Sequence, residues 1–253
     1  MLSIVPIGGV IVQGGTNKKI LVRALGPTLV PFGITDALAD PTLAIFNANN
    51  TQIASNDNWK TTQIGGIITS DQVAEINASK LAPGNDPESA IIANLTPANY
   101  TAVMRGAGNS VGTGLVDAFD LSPASTARLA NVATRGLVQS GDKLLTAGFI
   151  IQNGSVRVVI RAIGPSLLGA PYNIANALPD TTLQLRDQNG GLVQENDDWQ
   201  TDQKAALEST GLQPANSKEA ALVRTIPPGQ YSAQVRGKPE VTGTGVVEIY
   251  FLQ

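Results

Sequence analysis

Cysteine and histidine are both absent from this sequence of 253 residues. Without cysteine the chain has no disulfides, no thiolate nucleophile and no cysteine-ligated metal centre. Without histidine it lacks the side chain that most often acts as a base or metal ligand near neutral pH. No spacing of serine, lysine or carboxylate residues recommends a nucleophile with its base. We therefore predict a protein that is not an enzyme, with no catalytic residue and no cofactor.

Charged and aromatic side chains are also scarce. Charged residues make up 15% of the chain and aromatic residues 4%, and the net charge is −3. The 17 basic residues are scattered, which argues against nucleic acid or an anionic membrane as the main partner. No apolar run approaches the roughly 20 residues that cross a bilayer, so we predict no membrane span. The hydrophobic fraction of 42% is too high for a disordered chain and predicts a folded core.

An internal repeat is the most informative feature that is present. Equivalent residues lie 140 positions apart at Trp59 and Trp199, but 131 apart at Tyr100 and Tyr231. The first copy therefore carries a nine-residue insertion between Trp59 and Glu88, and two domains are predicted. The matching motifs are LVRALGPTL (21–29) with VIRAIGPSL (159–167), IASNDNW (53–59) with VQENDDW (193–199), and PESAIIANLTPANYTAVMRG (87–106) with KEAALVRTIPPGQYSAQVRG (218–237).

Each copy has the pattern of a β domain. Short runs rich in β-branched and aromatic residues alternate with turn residues. The predicted fold is all-β, with two tandem antiparallel β-sandwich or jelly-roll-like domains that each contain one short helix. The predicted domains cover residues 1–121 and 128–253, and a Pro/Ser/Ala linker at 122–127 joins them.

Two kinds of local signal place the turns and the helix. Asn153-Gly154 and Asn189-Gly190 predict type I′ hairpin turns, in which both central residues have positive φ. The helix of the second copy is predicted near residues 202–209. Thr201 or Asp202 would cap its start, and Gly211 would end it.

The two copies differ at their starts. RLANVATRGLVQSGDKLLTAG precedes the second copy at 128–148 and predicts a strand, a turn and a second strand, whereas only MLSIVPIGG precedes the matching part of the first. Either RLANVATRG completes the first domain and a neighbouring chain completes the second, or the first domain lacks a strand. A piece cut from a longer tandem array would explain the same pattern. An open strand edge invites pairing with another chain, so self-association is predicted.

Three groups of residues are candidate binding sites. Asp57 and the pair Asp197-Asp198 could offer oxygen ligands to Ca²⁺, or could close a turn by bonding nearby amides, so the metal question stays open. Trp59 and Trp199 could stack on sugar rings. Both occupy the same repeat position, however, and the interpretation as core anchors is favoured. The insertion around 61–86 and the segment 128–148 are unique to one copy and are predicted contact surfaces.

The remaining repeated residues are interpreted as structural. Tyr100 and Tyr231 each begin a late strand and predict tyrosine corners. Arg23 and Arg161 end apolar strands and need carboxylate partners. Gly-Thr-Gly at 112–114 and 243–245 lacks the helix and lysine of a phosphate loop and predicts turns or bulges. The proposed partners of the arginines are Asp40 and Asp180, or Glu88 and Glu219.

Several motifs in a fixed order also resemble a known family. RLANVATRG, SGDKLLTAGFII, VVIRAIGPSL, NDDW and EAALVRTIPPGQYSAQVRG together resemble a repeat module of large secreted proteins of environmental bacteria. The resemblance covers nearly all of 128–253 and resumes from Gly9 to Leu121. The NDxW…PxxYxAxVRG half is also similar to bacterial pre-peptidase C-terminal domains, which are small β-sandwiches. The resemblance implies an extracellular, multi-module setting and no defined enzyme activity. The sequence departs from the pattern at its start and at its insertion.

Together these features predict an extracellular or cell-surface structural or adhesive protein of bacterial origin. Its specific form would be a fibre subunit that assembles head to tail by strand complementation. The alternative is a carbohydrate- or calcium-binding accessory module of an exported protein, with a glycan as partner. A hydrolase with paired carboxylates ranks third.

Overall fold

A computed structural model of the chain describes residues 7–141, 143–152 and 154–252. The chain divides into two compact units, unit 1 at Met1–Ala130 and unit 2 at Asn131–Gln253. Each unit consists of antiparallel sheets packed into a sandwich, so the predicted all-β sandwich class is confirmed. The predicted linker at 122–127 lies inside unit 1, where Ala127 is buried in the core.

Unit 1 contains seven strands among its described residues. One sheet has the strand order β5-β2-β7, and the other contains β1-β6-β3-β4, in which β1 also borders β8 (Arg128–Val138). A single α-helix, α1 (Val73–Ala78), precedes β5. The strands are β1 (Ile7–Gln13), β2 (Lys18–Leu25), β3 (Pro41–Asn47), β4 (Gln52–Asn56), β5 (Ser89–Leu95), β6 (Ala98–Gly106) and β7 (Leu115–Asp120).

Unit 2 repeats this arrangement with one strand more. Its sheets have the orders β13-β10-β15-β8 and β12-β11-β14-β9, and its α-helix is α2 (Lys204–Glu208). The first three residues of β8 still belong to unit 1. The strands are β8 (Arg128–Val138), β9 (Leu145–Ile151), β10 (Val156–Ile163), β11 (Thr181–Asp187), β12 (Leu192–Asn196), β13 (Ala220–Ile226), β14 (Gly229–Gly237) and β15 (Gly243–Phe251).

Each sandwich encloses a core, and a second apolar cluster lies under its helix. Strand β9 alternates buried and exposed residues, as expected for a strand with one face on the core. On β10, Val158 and Ile160 face the main core, whereas Val159 packs with Trp199 and Leu207 under α2. Strand β10 is therefore covered on both faces, which explains its uninterrupted apolar run.

Two local predictions are wrong. In the turn after β11, only Gly190 has a positive φ, at +78°, so Asn189-Gly190 is not a type I′ turn. Instead Asp187 Oδ1 accepts the amides of Asn189 and Gly191 at 2.8 and 2.9 Å, because a short acidic side chain can close a turn on its own backbone. Asn153 lies outside the described residues, so the Asn153-Gly154 prediction is not addressed.

The cap of α2 also differs from the prediction. The helix begins at Lys204, and Gln203 occupies the cap position without a side-chain hydrogen bond to the helix. Thr201 Oγ1 donates to the carbonyl of Asp198 at 2.7 Å, so it serves the preceding loop. Gly211 follows the helix with a φ of +68°, as expected for a residue that ends it.

Part of the nine-residue insertion lies along the outer edge of β4. Gly65 and Ile68 form an isolated bridge, and the amide of Ile67 donates to the carbonyl of Ile53 at 2.8 Å. The side chain of Ile68 is buried in the unit 1 core. This part of the insertion covers a sheet edge, and it also exposes the side chains of Ile64 and Ile67, so the contact surface stays a prediction.

Candidate functional site

The two units differ at one sheet edge. In unit 2, β15 pairs with β10 on one side and with β8 on the other, where the register runs from Gly243 opposite Val138 to Tyr250 opposite Asn131. In unit 1, the equivalent strand β7 pairs with β2 and ends its sheet, with no further strand beside it among the described residues. Among the described residues, β8 thus borders β15 of unit 2, and no strand takes the corresponding place beside β7 of unit 1.

Burial of equivalent residues follows this difference. Val247 and Ile249 on β15 are both 0% exposed. Val116 and Ala118, at the same positions of β7, are only partly buried although both pack against the unit 1 core. Leu115 is 39% exposed. The open side of β7 therefore presents apolar surface that β8 covers in unit 2.

The backbone of β7 has pairing groups on this open side. The amide of Leu121 donates to the carbonyl of Lys19, so this position faces β2. Because the pairing direction of successive residues alternates along a strand, Val116, Ala118 and Asp120 direct their N–H and C=O groups away from β2. These groups form the row of donors and acceptors that an added strand would need.

The opposite edge of the same sheet is capped by side chains. The amide group of Gln72 donates to the carbonyl of Ile92 at 2.7 Å and accepts the amide of Ile92 at 3.0 Å, much as a neighbouring strand would. Asn56 Oδ1 accepts the amide of Ala90 at 3.1 Å.

Unit 2 repeats this cap. Gln203 makes the same two bonds with Val223, at 2.9 and 3.0 Å, and Asn196 Oδ1 accepts the amide of Ala221. Strands β5 and β13 are thus closed at these positions, which singles out β7 as the open edge of its sheet.

The acidic residues of β7 are paired with basic residues of β2. Arg23 contacts Asp117 through Nε at 2.9 Å and Nη2 at 2.5 Å, and its guanidinium lies 4.7 Å from the ring centre of Phe119. Lys18 is only 2% exposed, and its Nζ lies 2.7 Å from Asp120 Oδ2. The edge is therefore not defended by unpaired charge, which is a common protection against strand addition.

The partners predicted for the two arginines are wrong. Arg161 pairs with Glu248, and Arg23 with Asp117, each on the neighbouring strand of the sheet. Neither Asp40 and Asp180 nor Glu88 and Glu219 take this role. Burial raises the pKa of Asp117, although the hydrogen bond and charge of Arg23 act in the opposite direction.

Glu88 and Glu219 have another function in the fold. Glu219 is fully buried and accepts the amides of Gly164 and Ser166 at 3.1 and 2.8 Å, and the Ser166 hydroxyl at 2.8 Å. Glu88 is bound in the same way by Gly26 and Thr28. The repeated GPTL and GPSL motifs are therefore loops that donate hydrogen bonds to a buried carboxylate.

The tyrosines and tryptophans are structural, as interpreted. The hydroxyl of Tyr100 donates to the carbonyl of Thr96 at 3.0 Å, and that of Tyr231 to the carbonyl of Pro227 at 3.1 Å, which are tyrosine corners. Trp59 and Trp199 are each 5% exposed, so their rings cannot serve as sugar platforms. Gly112 and Gly243 lie against the backbone of Leu38 and of Asn176-Leu178, where a side chain would not fit.

A second candidate site is an acidic cluster in unit 2. The carboxylates of Asp180, Asp197 and Asp198 lie within 4.8 Å of one another. Asp180 Oδ1 and Asp197 Oδ1 are buried and accept no hydrogen bond from any described residue. Lys238 is ion-paired with the other oxygen of Asp197, and Lys218 Nζ lies 4.0 Å from Asp180 Oδ2.

Unit 1 contains the same pair without the lysines. Asp40 and Asp57 stand at the positions of Asp180 and Asp197, and their Oδ1 atoms are also buried without a described partner. Asn58 replaces the third aspartate. Burial and the charge of Asp57 raise the pKa of Asp40. Burial, followed by the charges of Asp197 and Asp198, raises that of Asp180. Such carboxylates could hold a hard cation, which needs six to eight oxygen ligands.

A shallow cleft of about 410 Å³ adjoins this cluster. Most residues that line it are of polar types, and they include Gln184, Glu195, Asp197 and Lys238. No aromatic side chain is among the residues that line it. The cleft therefore offers no stacking surface for a sugar ring.

Comparisons with known proteins identify no relative by sequence. A scan of protein families and a search of curated proteins find no match. Among solved structures, the STIV MCP is 11% identical with a TM-score of 0.25, and the match covers 99% of this chain and 94% of that one. A protein from Eubacterium rectale is 11% identical with a TM-score of 0.24, covering 95% and 66%. The PBCV-1 virus capsid is 9% identical with a TM-score of 0.22, covering 99% and 94%.

The helices of the protein are short. Within the described part of the chain, none combines the length and apolar character that a bilayer span requires.

Proposed function

We propose that this chain is an extracellular or cell-surface structural or adhesive protein of bacterial origin. Its subunits would join head to tail by strand complementation at the open edge of β7. The observation that carries the proposal is a contrast within the described part of the chain: β15 is paired on both sides, and β7 is paired on one side only. The chain would act without catalysis and without a cofactor.

The chemistry of this edge supports the proposal. Val116, Ala118 and Asp120 direct their backbone groups away from β2, where no described strand lies, and Leu115 supplies exposed apolar surface. The carboxylates beside them are already neutralised by Lys18 and Arg23, so an incoming strand would meet no net repulsion. Strand addition gives affinity through main-chain bonds and specificity through alternate side chains.

The test is the association state of the purified protein. Size-exclusion chromatography with light scattering, at several concentrations, should reveal a ladder of oligomers, and electron microscopy of the same fractions should show filaments. A monomer at every concentration would contradict self-association by this chain.

Two substitutions at one residue separate strand pairing from other contacts. Ala118→Pro removes only an amide that faces away from β2, and an edge strand tolerates proline at such a position. It should abolish the oligomers. Ala118→Val keeps the amide and should leave them in place. Equal oligomer content in both variants would place the contact elsewhere.

A second candidate function is calcium binding by an exported accessory module. It rests on the buried carboxylate oxygens of Asp40, Asp57, Asp180 and Asp197, which have no described hydrogen-bond donor. Calcium should then raise the melting temperature of the protein. The rise should shrink in a variant that carries Asp180→Asn and Asp198→Asn. An unchanged melting temperature in calcium would exclude this candidate.

A further inference from the structure

We infer that the strand accepted by β7 is a free segment with the residue pattern of Arg128–Val138, bound antiparallel in one register. This inference rests on the proposed function only in taking β7 as the binding edge. Unit 2 provides the template, because β8 occupies the corresponding edge of β15 there. The partner is thus an extended polypeptide segment that follows the pattern RLANVATRGLV.

The register follows from the repeat. Positions of β7 and β15 differ by 131 residues, so Val116 corresponds to Val247 and Ala118 to Ile249. In unit 2, Thr134 lies opposite Val247 and Val132 lies opposite Ile249. The incoming segment would accordingly place its threonine opposite Val116 and its central valine opposite Ala118.

The side chains of the segment suit this position. Val132 and Thr134 share the face of Val247 and Ile249, which pack in the unit 2 core. The same two side chains would cover the half-buried Val116 and Ala118 in unit 1. Valine and threonine are also residues that favour extended backbone.

The template strand carries a glycine two positions further along. Gly136 lies opposite Gly245 in unit 2, and a Cβ on Gly136 would meet only the flexible end of Leu145, at 2.9 Å. Gly114 is the counterpart of Gly245, and a Cβ there would clash with Met104 in the unit 1 core. Glycine therefore faces glycine in unit 2, and the register places the glycine of the segment opposite Gly114.

The chain has fewer strands of the donor pattern than edges that can accept one, which makes a free segment a better ligand than a folded second copy. Each chain has two acceptor edges, β7 and β15, and one described strand of the donor pattern, β8. If β8 moved to the β7 of a neighbour, it would lose its pairing with β15 and its place beside β1, and it would break at least as many strand pairs as it formed. Exchange between copies is therefore weak and needs high concentration, whereas a free segment adds pairs without breaking any.

The experiment uses the full chain and a synthetic peptide of sequence RLANVATRGLV with a fluorescent label. Anisotropy should show saturable binding with one peptide per chain. Saturating peptide should raise the first thermal unfolding transition by at least about 3 °C, since it binds the folded state. Hydrogen exchange should slow at the amides of Val116, Ala118 and Asp120, and it should stay unchanged along β15.

Matched controls test the register. A peptide with Val132→Pro and Thr134→Pro lacks the two amides that would pair with β7, and a peptide with the same residues in scrambled order loses the register. Both should bind at least tenfold more weakly. Ala118→Pro in the protein should lose binding that Ala118→Val retains. Circular dichroism checks that both variants fold.

The outcomes separate the inference from the proposed function. Binding without protection at β7, or equal binding of the control peptides, would overturn the inference. Oligomers in a chain that does not bind the peptide would overturn the inference and leave the proposed function standing. Peptide binding to a chain that is monomeric at every concentration would support the inference and contradict self-association.

Discussion

Arg161 holds Glu248 through two guanidinium nitrogens, with Nε at 2.8 Å and Nη2 at 2.5 Å from the same carboxylate oxygen. The two residues lie opposite each other on β10 and β15. Arg161 also donates to the carbonyl of Leu212 at 3.0 Å. The guanidinium therefore connects the strand pair to the loop after α2.

Replacing Glu248 by glutamine should destabilise unit 2. The side chain of Arg161 is 18% exposed, so its charge would lose its partner in a mostly buried place. The contribution of this pair should lie between those of surface and fully buried ion pairs. We therefore expect a loss of about 2 kcal/mol in the free energy of unfolding. Urea denaturation measures it. Glu240→Gln, at an exposed position, is the control and should change little. Equal stability of the two variants would show that the pair contributes nothing.

Replacing Glu219 by glutamine should have a larger effect. Its carboxylate accepts the amides of Gly164 and Ser166, and a glutamine amide would direct N–H groups at some of these donors. Unsatisfied buried groups cost about 1–3 kcal/mol each, so the variant should unfold well before the wild type in urea. Glu88→Gln should do the same to unit 1. A wild-type midpoint in either variant would show that the loop rearranges to accept the amide.

Replacing Gln203 by alanine should expose the edge of β13. The amide and carbonyl of Val223 would lose both partners, and about 1–2 kcal/mol of stability should be lost. Hydrogen exchange at the Val223 amide should accelerate. Gln230→Ala, at an exposed position of β14, serves as the control. An unchanged exchange rate at Val223 would contradict the cap.

The pKa of Asp180 predicts a pH effect with a definite sign. Burial and the neighbouring aspartates raise this pKa, so the folded state binds the proton more tightly than the unfolded state. The stabilisation from protonation is complete below the ordinary pKa of aspartate, about 3.9, and is lost as the pH rises through the raised value.

Asp180→Asn should therefore be more stable than the wild type at neutral pH. The difference should shrink as the pH falls toward the ordinary pKa of aspartate, because the wild-type carboxyl is then neutral as well. Urea midpoints of both proteins across this range test the prediction. A constant difference would show that the amide acts through packing and that charge plays no part.

The sequence predicts the sandwich and its anchors because these depend on local pattern and on repetition. Tyr100 and Tyr231, and Trp59 and Trp199, have the roles that their repeated positions indicated. The arginine partners were missed because a contact between neighbouring strands depends on strand order and register. One signal was present, since Asp117 and Glu248 are both acidic and 131 residues apart.

The open edge itself could be predicted only as one of two arrangements. The sequence contains one segment of the donor pattern for two repeat copies. Which copy this segment pairs with can be read only from the hydrogen-bonded strand pairs of the structure. The register of β8 with β15 settles this for unit 2. The glutamine caps were missed because Gln72 and Gln203 lie in loops without a regular pattern, although they too are 131 residues apart.

The glutamine cap on β5 has a consequence for the geometry of growth. A particle that can bond through both edges of a sheet extends it sideways without limit, as in an amyloid ribbon. In unit 1, Gln72 closes one end of the sheet and leaves β7 as the other. In the language of polymer chemistry this sheet is monofunctional: it can terminate or link, and it cannot propagate a ribbon by itself.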